Sequence, residues 1–323
     1  MNRRALRLTA AFLLAVALVP PATAAAAVPA AHRSPSVVLQ AQGRISFGDP
    51  VTGAMRPVAS DAPSPQLHPR WSPDGSRVAF AVDDADGTRD IWVAIVDSGA
   101  ARRIVDCAPP RCGFVDDPAW SPDGRSIAFE QVLRLANDDG APSLEVLDLV
   151  THRQRTVASF PGDFTPYTPS WGPRGAALLY ELDRFASKRL DETRVLNTRI
   201  QTVDLRSGRR RTVTDPAENA LMPDWNARDG RIVYVRPFDR EQGASGPLDL
   251  VVRDRSGSRR VTQGGARGER ALQPSWAPDG RSIVFVLERV PYDSRIAFLR
   301  PASGRITATT TAGTHPDVRP ETS

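Results

Sequence analysis

Apolar residues in this chain recur two apart in short runs, which is the period of a half-buried strand. In Arg125-Ser126-Ile127-Ala128-Phe129, the Ile127 and Phe129 side chains share one face. The run follows Trp120-Ser121-Pro122-Asp123-Gly124, whose Pro-Asp-Gly supplies turn chemistry. Pro fixes φ at the corner, Asp hydrogen-bonds local backbone, and Gly accepts a positive φ. The unit therefore reads strand, tight turn, strand. It recurs at His68-Pro69-Arg70-Trp71-Ser72-Pro73-Asp74-Gly75 and at Gln273-Pro274-Ser275-Trp276-Ala277-Pro278-Asp279-Gly280. Degenerate copies lie around Trp171 and Trp225. The steps between these tryptophans are 49, 51, 54 and 51 residues. A second hairpin follows each unit, as in Ser143–Leu149 with Thr156–Ala158. Four strands on a period near fifty predict propeller blades, with each tryptophan packed between neighbours.

The two ends complement each other. Val37–Ser60 matches the second hairpin of a blade with no Trp unit before it, and Thr314-His315-Pro316-Asp317-Val318 matches the opening of a unit. The expected fold is all-β, a six-bladed β-propeller of four-stranded antiparallel blades. Its ring is closed by the N- and C-terminal segments in one composite blade, which removes exposed sheet edges. The propeller spans residues 37–318, with a short tail at 319–323.

The repeat Trp-Ser-Pro-Asp-Gly-x-x-Ile-Ala-Phe, followed by a strand ending in Asp and then by Gly, Arg and Val-Thr, resembles the WD40-like PD40 blade of TolB-type β-propellers. Prolyl-oligopeptidase propeller domains and oligogalacturonate lyases are similar to it too. The resemblance covers nearly all of residues 37–318. It implies the fold strongly and the activity weakly, because one fold hosts many functions. What it implies here is an exported, non-catalytic scaffold, a monomer that binds a protein or cell-envelope component.

Composition narrows the picture. Residues 1–26 read as a secretory signal, with a basic Asn2-Arg3-Arg4 start, an apolar run from Leu8 to Val19 too short for a good membrane span, and small residues at Ala22-Thr23-Ala24. Residues 27–36 are an Ala- and Pro-rich lead-in, and no Cys follows the apolar run to take a lipid. The net charge of +5 counts Arg3, Arg4 and Arg7 of this leader, so the remainder is nearly neutral and carries no nucleic-acid footprint. The expected product lies outside the cytoplasm, with no transmembrane span once the signal is removed. Cys107 and Cys112, the two cysteines, are expected to pair there.

Candidate chemistry is sparse. There is no Gly-x-Ser-x-Gly elbow, and four histidines leave little for a Ser-His-Asp arrangement. Asp74, Asp123 and Asp279 are explained by their turns. The residue before each unit's Pro is expected to begin the innermost strand at one mouth of the channel. Around the ring these are His68, Asp117, Thr168, Met222, Gln273 and His315. His68, Asp117, Gln273 and His315 would be consecutive neighbours, of types that serve a hard or borderline divalent metal. Oligogalacturonate lyases hold a metal in their channel with similar residue types, so the resemblance implies a metal-dependent polysaccharide lyase or hydrolase as the alternative function. The other reading of the same residues is a water-lined, structural channel, with no cofactor. The long connection Asp183–Thr198 is the candidate partner-binding loop, through Arg184, Phe185, Lys188 and Arg189, because elaborated loops on a rigid scaffold are where binding tends to reside.

Overall fold

A computed structural model describes residues 36–320, except 60, 86, 109–111, 134–140, 187–193, 240–244 and 290–292. The signal segment and most of the lead-in lie outside these residues. The first sheet joins β1 (Val37–Ala41), β2 (Arg44–Gly48) and β3 (Met55–Pro57) to the last strand, β24 (Thr314–Val318), in the order β24-β1-β2-β3. The next three sheets are consecutive meanders. They are β4 (Gln66–Trp71), β5 (Arg77–Asp83), β6 (Arg89–Ile95), β7 (Ala101–Val105); then β8 (Cys112–Trp120), β9 (Ser126–Leu133), β10 (Ala141–Asp148), β11 (Gln154–Ser159); then β12 (Phe164–Trp171), β13 (Ala177–Phe185), β14 (Val195–Asp204), β15 (Arg210–Thr212).

The remaining strands are β16 (Leu221–Trp225), β17 (Ile232–Pro237), β18 (Leu248–Asp254), β19 (Gly257–Arg260), β20 (Arg270–Trp276), β21 (Ile283–Arg289), β22 (Asp293–Arg300) and β23 (Arg305–Ala308). Here the structure departs from the expected six separate blades. Four four-stranded sheets stand apart, and these last eight strands form one sheet. The cause is local. The Leu248 N–H reaches the Glu269 carbonyl at 3.3 Å, so β18 meets β20 in parallel at the single pair Leu248–Arg270. The innermost strands are neighbours in the cyclic order β4, β8, β12, β16, β20, β24 and back to β4.

The core lies between sheets. Ala79, Ile91 and Val93 pack against Trp120, Ile127 and Phe129 of the next sheet, and Ala119, Ala128 and Leu144 against Trp171, Leu178 and Tyr180 of the one after. Each tryptophan is thus an inter-blade wedge. The indoles of Trp120 and Trp171 donate to the carbonyls of Arg70 and Ala119 in the preceding sheet. Arg77 stacks on Trp120, Arg231 on Trp276 and Arg319 on Trp71. The outer strands β7, β15 and β19 are short and arginine-rich, which keeps sheet edges from pairing with other chains.

The junction between the first and second sheets rests on buried Asp317. One carboxylate oxygen accepts the Trp71 N–H at 2.8 Å, and the other accepts the Ser275 hydroxyl at 2.9 Å. Removing the acceptor strands two donors away from water. Asp317→Ala should therefore cost about 2–4 kcal/mol in urea unfolding, whereas Asp279→Ala, in an exposed turn, should shift the midpoint little. Equal effects of the two would show that Asp317 does not hold the junction.

Candidate functional site: the channel mouth

The residue before the proline of each innermost strand has the left-handed backbone: His68, Asp117, Thr168, Met222, Gln273 and His315 have φ between 46° and 51°. Each opens a β-bulge. Leu67 pairs with Ala81 and Arg70 with Ala79, so His68 and Pro69 together oppose Phe80. The same two-against-one step sets the other five pairs opposite Phe129, Tyr180, Tyr234, Phe285 and Leu39, all fully buried. The expectation that these residues begin the strand is therefore corrected: they sit within it. A bulge re-aims the side chain while the strand continues, and His68, Asp117, Thr168, Met222, Gln273 and His315 all line one cavity of about 280 Å³.

The expected neighbours are brought together. The Gln273 side-chain carbonyl accepts the His315 backbone N–H at 2.8 Å, so its amide NH₂ faces His315 Nε2 at 2.9 Å. His315 Nε2 is then an acceptor and its Nδ1 carries the hydrogen. The His315 and His68 rings lie 4.1 Å apart, and His68 Nδ1 is 2.6 Å from Asp116 and 3.2 Å from Asp117. Burial works against charge on His68, but the Asp117 and Asp116 carboxylates outweigh it and raise the imidazole to about 9. Burial, with the charges of His68 and Arg70, holds His315 well below the usual histidine range. One histidine of this tilted pair is charged and the other neutral at pH 7.

Several residues of the site were not singled out from the sequence. Asp116 pairs with both His68 and Arg89, and these cations hold it below the usual carboxylate range despite burial. Glu181 accepts the Met222 N–H at 2.6 Å; burial and then neighbouring Asp183 push it well above its ordinary range. Glu130 is raised by burial and then by Asp117, and burial raises Asp183 to about 6. Arg70 and Tyr167 also line the cavity. A signal existed. Glu130 and Glu181 directly follow the buried Phe129 and Tyr180, where the other units carry Ala81, Val235 and Val286. A charge among apolar siblings is informative.

Among the described residues, His68, Asp116 and Asp117 are the group whose ligand atoms lie within 4.8 Å of one another and could hold a metal ion. Gln273 and His315 are not part of it. Of the candidate partner loop, Arg184 and Phe185 end β13 just beyond the cavity-lining Asp183. Arg184 is half-exposed, stacked on Phe164 and 3.8 Å from Asp163. Lys188 and Arg189 lie outside the described residues. Cys107 and Cys112 are joined by a disulfide.

The titrating groups here act on stability in two directions: His315, held below its ordinary value, adds stability as pH rises through 6.5, and the raised groups lose it. His68 rises from 6.5 to about 9 on folding, so its contribution is complete below pH 6.5 and is lost as pH climbs through 9. Asp183, raised from 3.8 to about 6, likewise loses its contribution as pH rises. The urea midpoint should fall between pH 7 and 9, by at most about 3 kcal/mol from His68, and His68→Asn should flatten that fall. A wild-type midpoint constant or rising across that range would contradict the assignment.

No family model matches the chain. Over 140 residues it is 26% identical to dipeptidyl-peptidase 5 of Porphyromonas gingivalis, covering 41% of this chain and 20% of that protein. Over 59 residues it is 39% identical to the uncharacterized peptidase YuxL of Bacillus subtilis, covering 18% and 8%. Over 67 residues it is 37% identical to the Tol-Pal system protein TolB of Alcanivorax borkumensis, covering 21% and 14%. The chain thus spans a fifth or less of these relatives' lengths. Among solved structures, TolB from Acinetobacter baumannii is similar at 18% identity and a TM-score of 0.63, covering 88% of this chain and 66% of that one. Oligogalacturonate lyase in complex with manganese gives 18% and 0.50, covering 74% and 63%, and puromycin hydrolase 16% and 0.53, covering 83% and 42%. These names overturn the expectation of a non-catalytic protein. Peptidases, a hydrolase and a lyase share the propeller, and nothing in the fold excludes catalysis. At the level of fold, the chain is a β-propeller similar to TolB.

Proposed function

We propose that this chain is an exported six-bladed propeller, monomeric, whose channel-mouth face binds a protein or cell-envelope partner. In the six-blade reading, the eight-stranded sheet is two blades, β16–β19 and β20–β23, touching at one residue pair. Export is supported by the basic-then-apolar leader and by a disulfide suited to an oxidising compartment. The observation that carries the binding reading is the polar cavity itself, ringed by side chains from all six innermost strands. The half-exposed Arg184 and Phe185 follow the cavity-lining Asp183 on the same strand. The similarity to TolB proteins agrees with it.

Photocrosslinking in the native culture tests this. Benzoylphenylalanine replaces Phe185 or Met222 at the mouth, or the exposed Val51 in the β2–β3 turn. The same discrete protein adduct is expected from both mouth positions and not from Val51. Adducts from Val51 alone, or from no position, would defeat the proposal.

A second reading has its own observation, the charged His68 set against neutral His315 beside carboxylates of raised proton affinity. Such pairs divide acid and base roles between two groups. It would make the mouth a site of acid–base cleavage of a polysaccharide. The donors His68, Asp116 and Asp117 already serve one another and Arg89, so they fit a closed ion-pair network better than a divalent metal, and no step is routed through one. Depolymerisation of polygalacturonate that is lost in His315→Ala would favour this reading; no turnover by the wild type would remove it for that substrate.

A further inference from the structure

The cavity at the mouth lacks positive charge on one side. Asp117, Glu181 and Asp183 line it, and Asp116 lies close enough to raise the proton affinity of Asp117, and both to raise that of the buried Glu130. The cations facing this group are His68, Arg70 and Arg89. His68 is held by Asp116 and Asp117, and Arg89 by Asp83 and Asp116. Asp183 is 8% exposed and lines the cavity, and its Oδ1 has no hydrogen-bond partner; neither has Glu130 Oε2. A buried carboxylate oxygen without a donor is costly and marks a place where a donor fits. The opposite wall shows the reverse want. Gln273 fixes His315 with its hydrogen on Nδ1, and that N–H has no acceptor.

A bare metal ion answers this poorly. It needs several oxygens converging on one point, and Glu181 and Asp183 are not in the group whose ligand atoms approach within 4.8 Å. A primary ammonium has three N–H donors and can bridge carboxylates that do not converge. Its methylene stem would lie along Tyr167 and Met222, which line the same cavity, the ring offering cation–π attraction. Resting on the partner-binding reading, we propose that the mouth receives a primary ammonium group of a polypeptide, a lysine side chain or a chain N-terminus, accepted by Asp183 and Glu181. A backbone carbonyl of the same ligand is the matching acceptor for His315 Nδ1–H.

Calorimetric titration of the full chain separates the sources. One arm uses Nα-acetyl-lysine amide, with a side-chain ammonium; one uses glycyl-glycine amide, with a terminal one. The controls are Nα,Nε-diacetyl-lysine amide and manganese chloride. At least one amine should bind and the diacetylated compound should not. Asp183→Asn and Glu181→Gln should each weaken the amine tenfold or more. Both replacements are nearly isosteric, and unchanged circular dichroism and melting confirm folding. Failure of both amines on the wild type, undiminished binding by a doubly substituted Asp183→Asn, Glu181→Gln chain, or binding of manganese alone would overturn the proposal. Amine binding with no protein crosslinked at the mouth would remove the partner reading and leave this one. A crosslinked protein that the double variant still captures in full would do the opposite.

Discussion

The rest of the structure depends on the left-handed bulge in each innermost strand. A non-glycine residue at φ near 50° is unfavourable by roughly 1–2 kcal/mol, and this chain holds six such residues at equivalent positions. The compensation is visible. Opposite each bulge stands one fully buried residue, five of them aromatic. The bulged N–H groups find acceptors on neighbours: Thr168 on Asp117, Met222 on Glu181, Gln273 on the Met222 sulfur, His315 on Gln273. At three junctions the side chain aimed inward by one bulge satisfies the backbone of the next bulge, which ties those blades together.

This arrangement explains why the channel mouth is polar without being loose. Polar side chains at the bulges have structural work, and an apolar ring would leave backbone donors unpaired. One layer away the same logic repeats: Asp224 accepts the Trp276 N–H and Ser170 accepts the Trp225 N–H, as Asp317 does for Trp71. Where the network closes, it stabilises. Where it stays open, at Asp183, Glu130 and His315, it leaves binding capacity within a rigid frame.

Much of this fold was legible in the sequence, since Trp71, Trp120, Trp171, Trp225 and Trp276 recur on the blade period and Pro-Asp-Gly marks the turn between the first two strands. The inward residues before each proline could also be read, and so could the adjacency of Gln273, His315, His68 and Asp117. The bulge could not. A residue inserted into a strand breaks the two-residue alternation, so the stretch before each proline reads as a strand beginning when it is a strand interior. The merger of β18 with β20 hangs on a single backbone contact, which no side-chain pattern records. Glu130 and Glu181 are not marked by the repeat, because these two matter by differing from their siblings. The expectation of an inert scaffold failed for another reason: it passed from fold to activity, and the fold does not carry that step.

The same logic separates two kinds of aspartate that look alike in the sequence. Asp74, in the first Pro-Asp-Gly turn, meets some burial but receives the Ser72 hydroxyl and the Ser76 N–H and hydroxyl, and is held down to about 2. Asp183 lies deeper, has one oxygen without a donor, and rises to about 6. The difference is the supply of hydrogen-bond donors. A turn delivers donors from its own backbone, so its carboxylate is satisfied wherever the turn lies. A carboxylate on a strand facing the channel must find donors across blades, and in this chain the neighbouring blade offers Met222 N–H to Glu181 but nothing to Asp183 Oδ1. Burial with one oxygen unsatisfied makes Asp183 responsive to whatever enters the mouth, while the turn aspartates, already satisfied, stay indifferent to it.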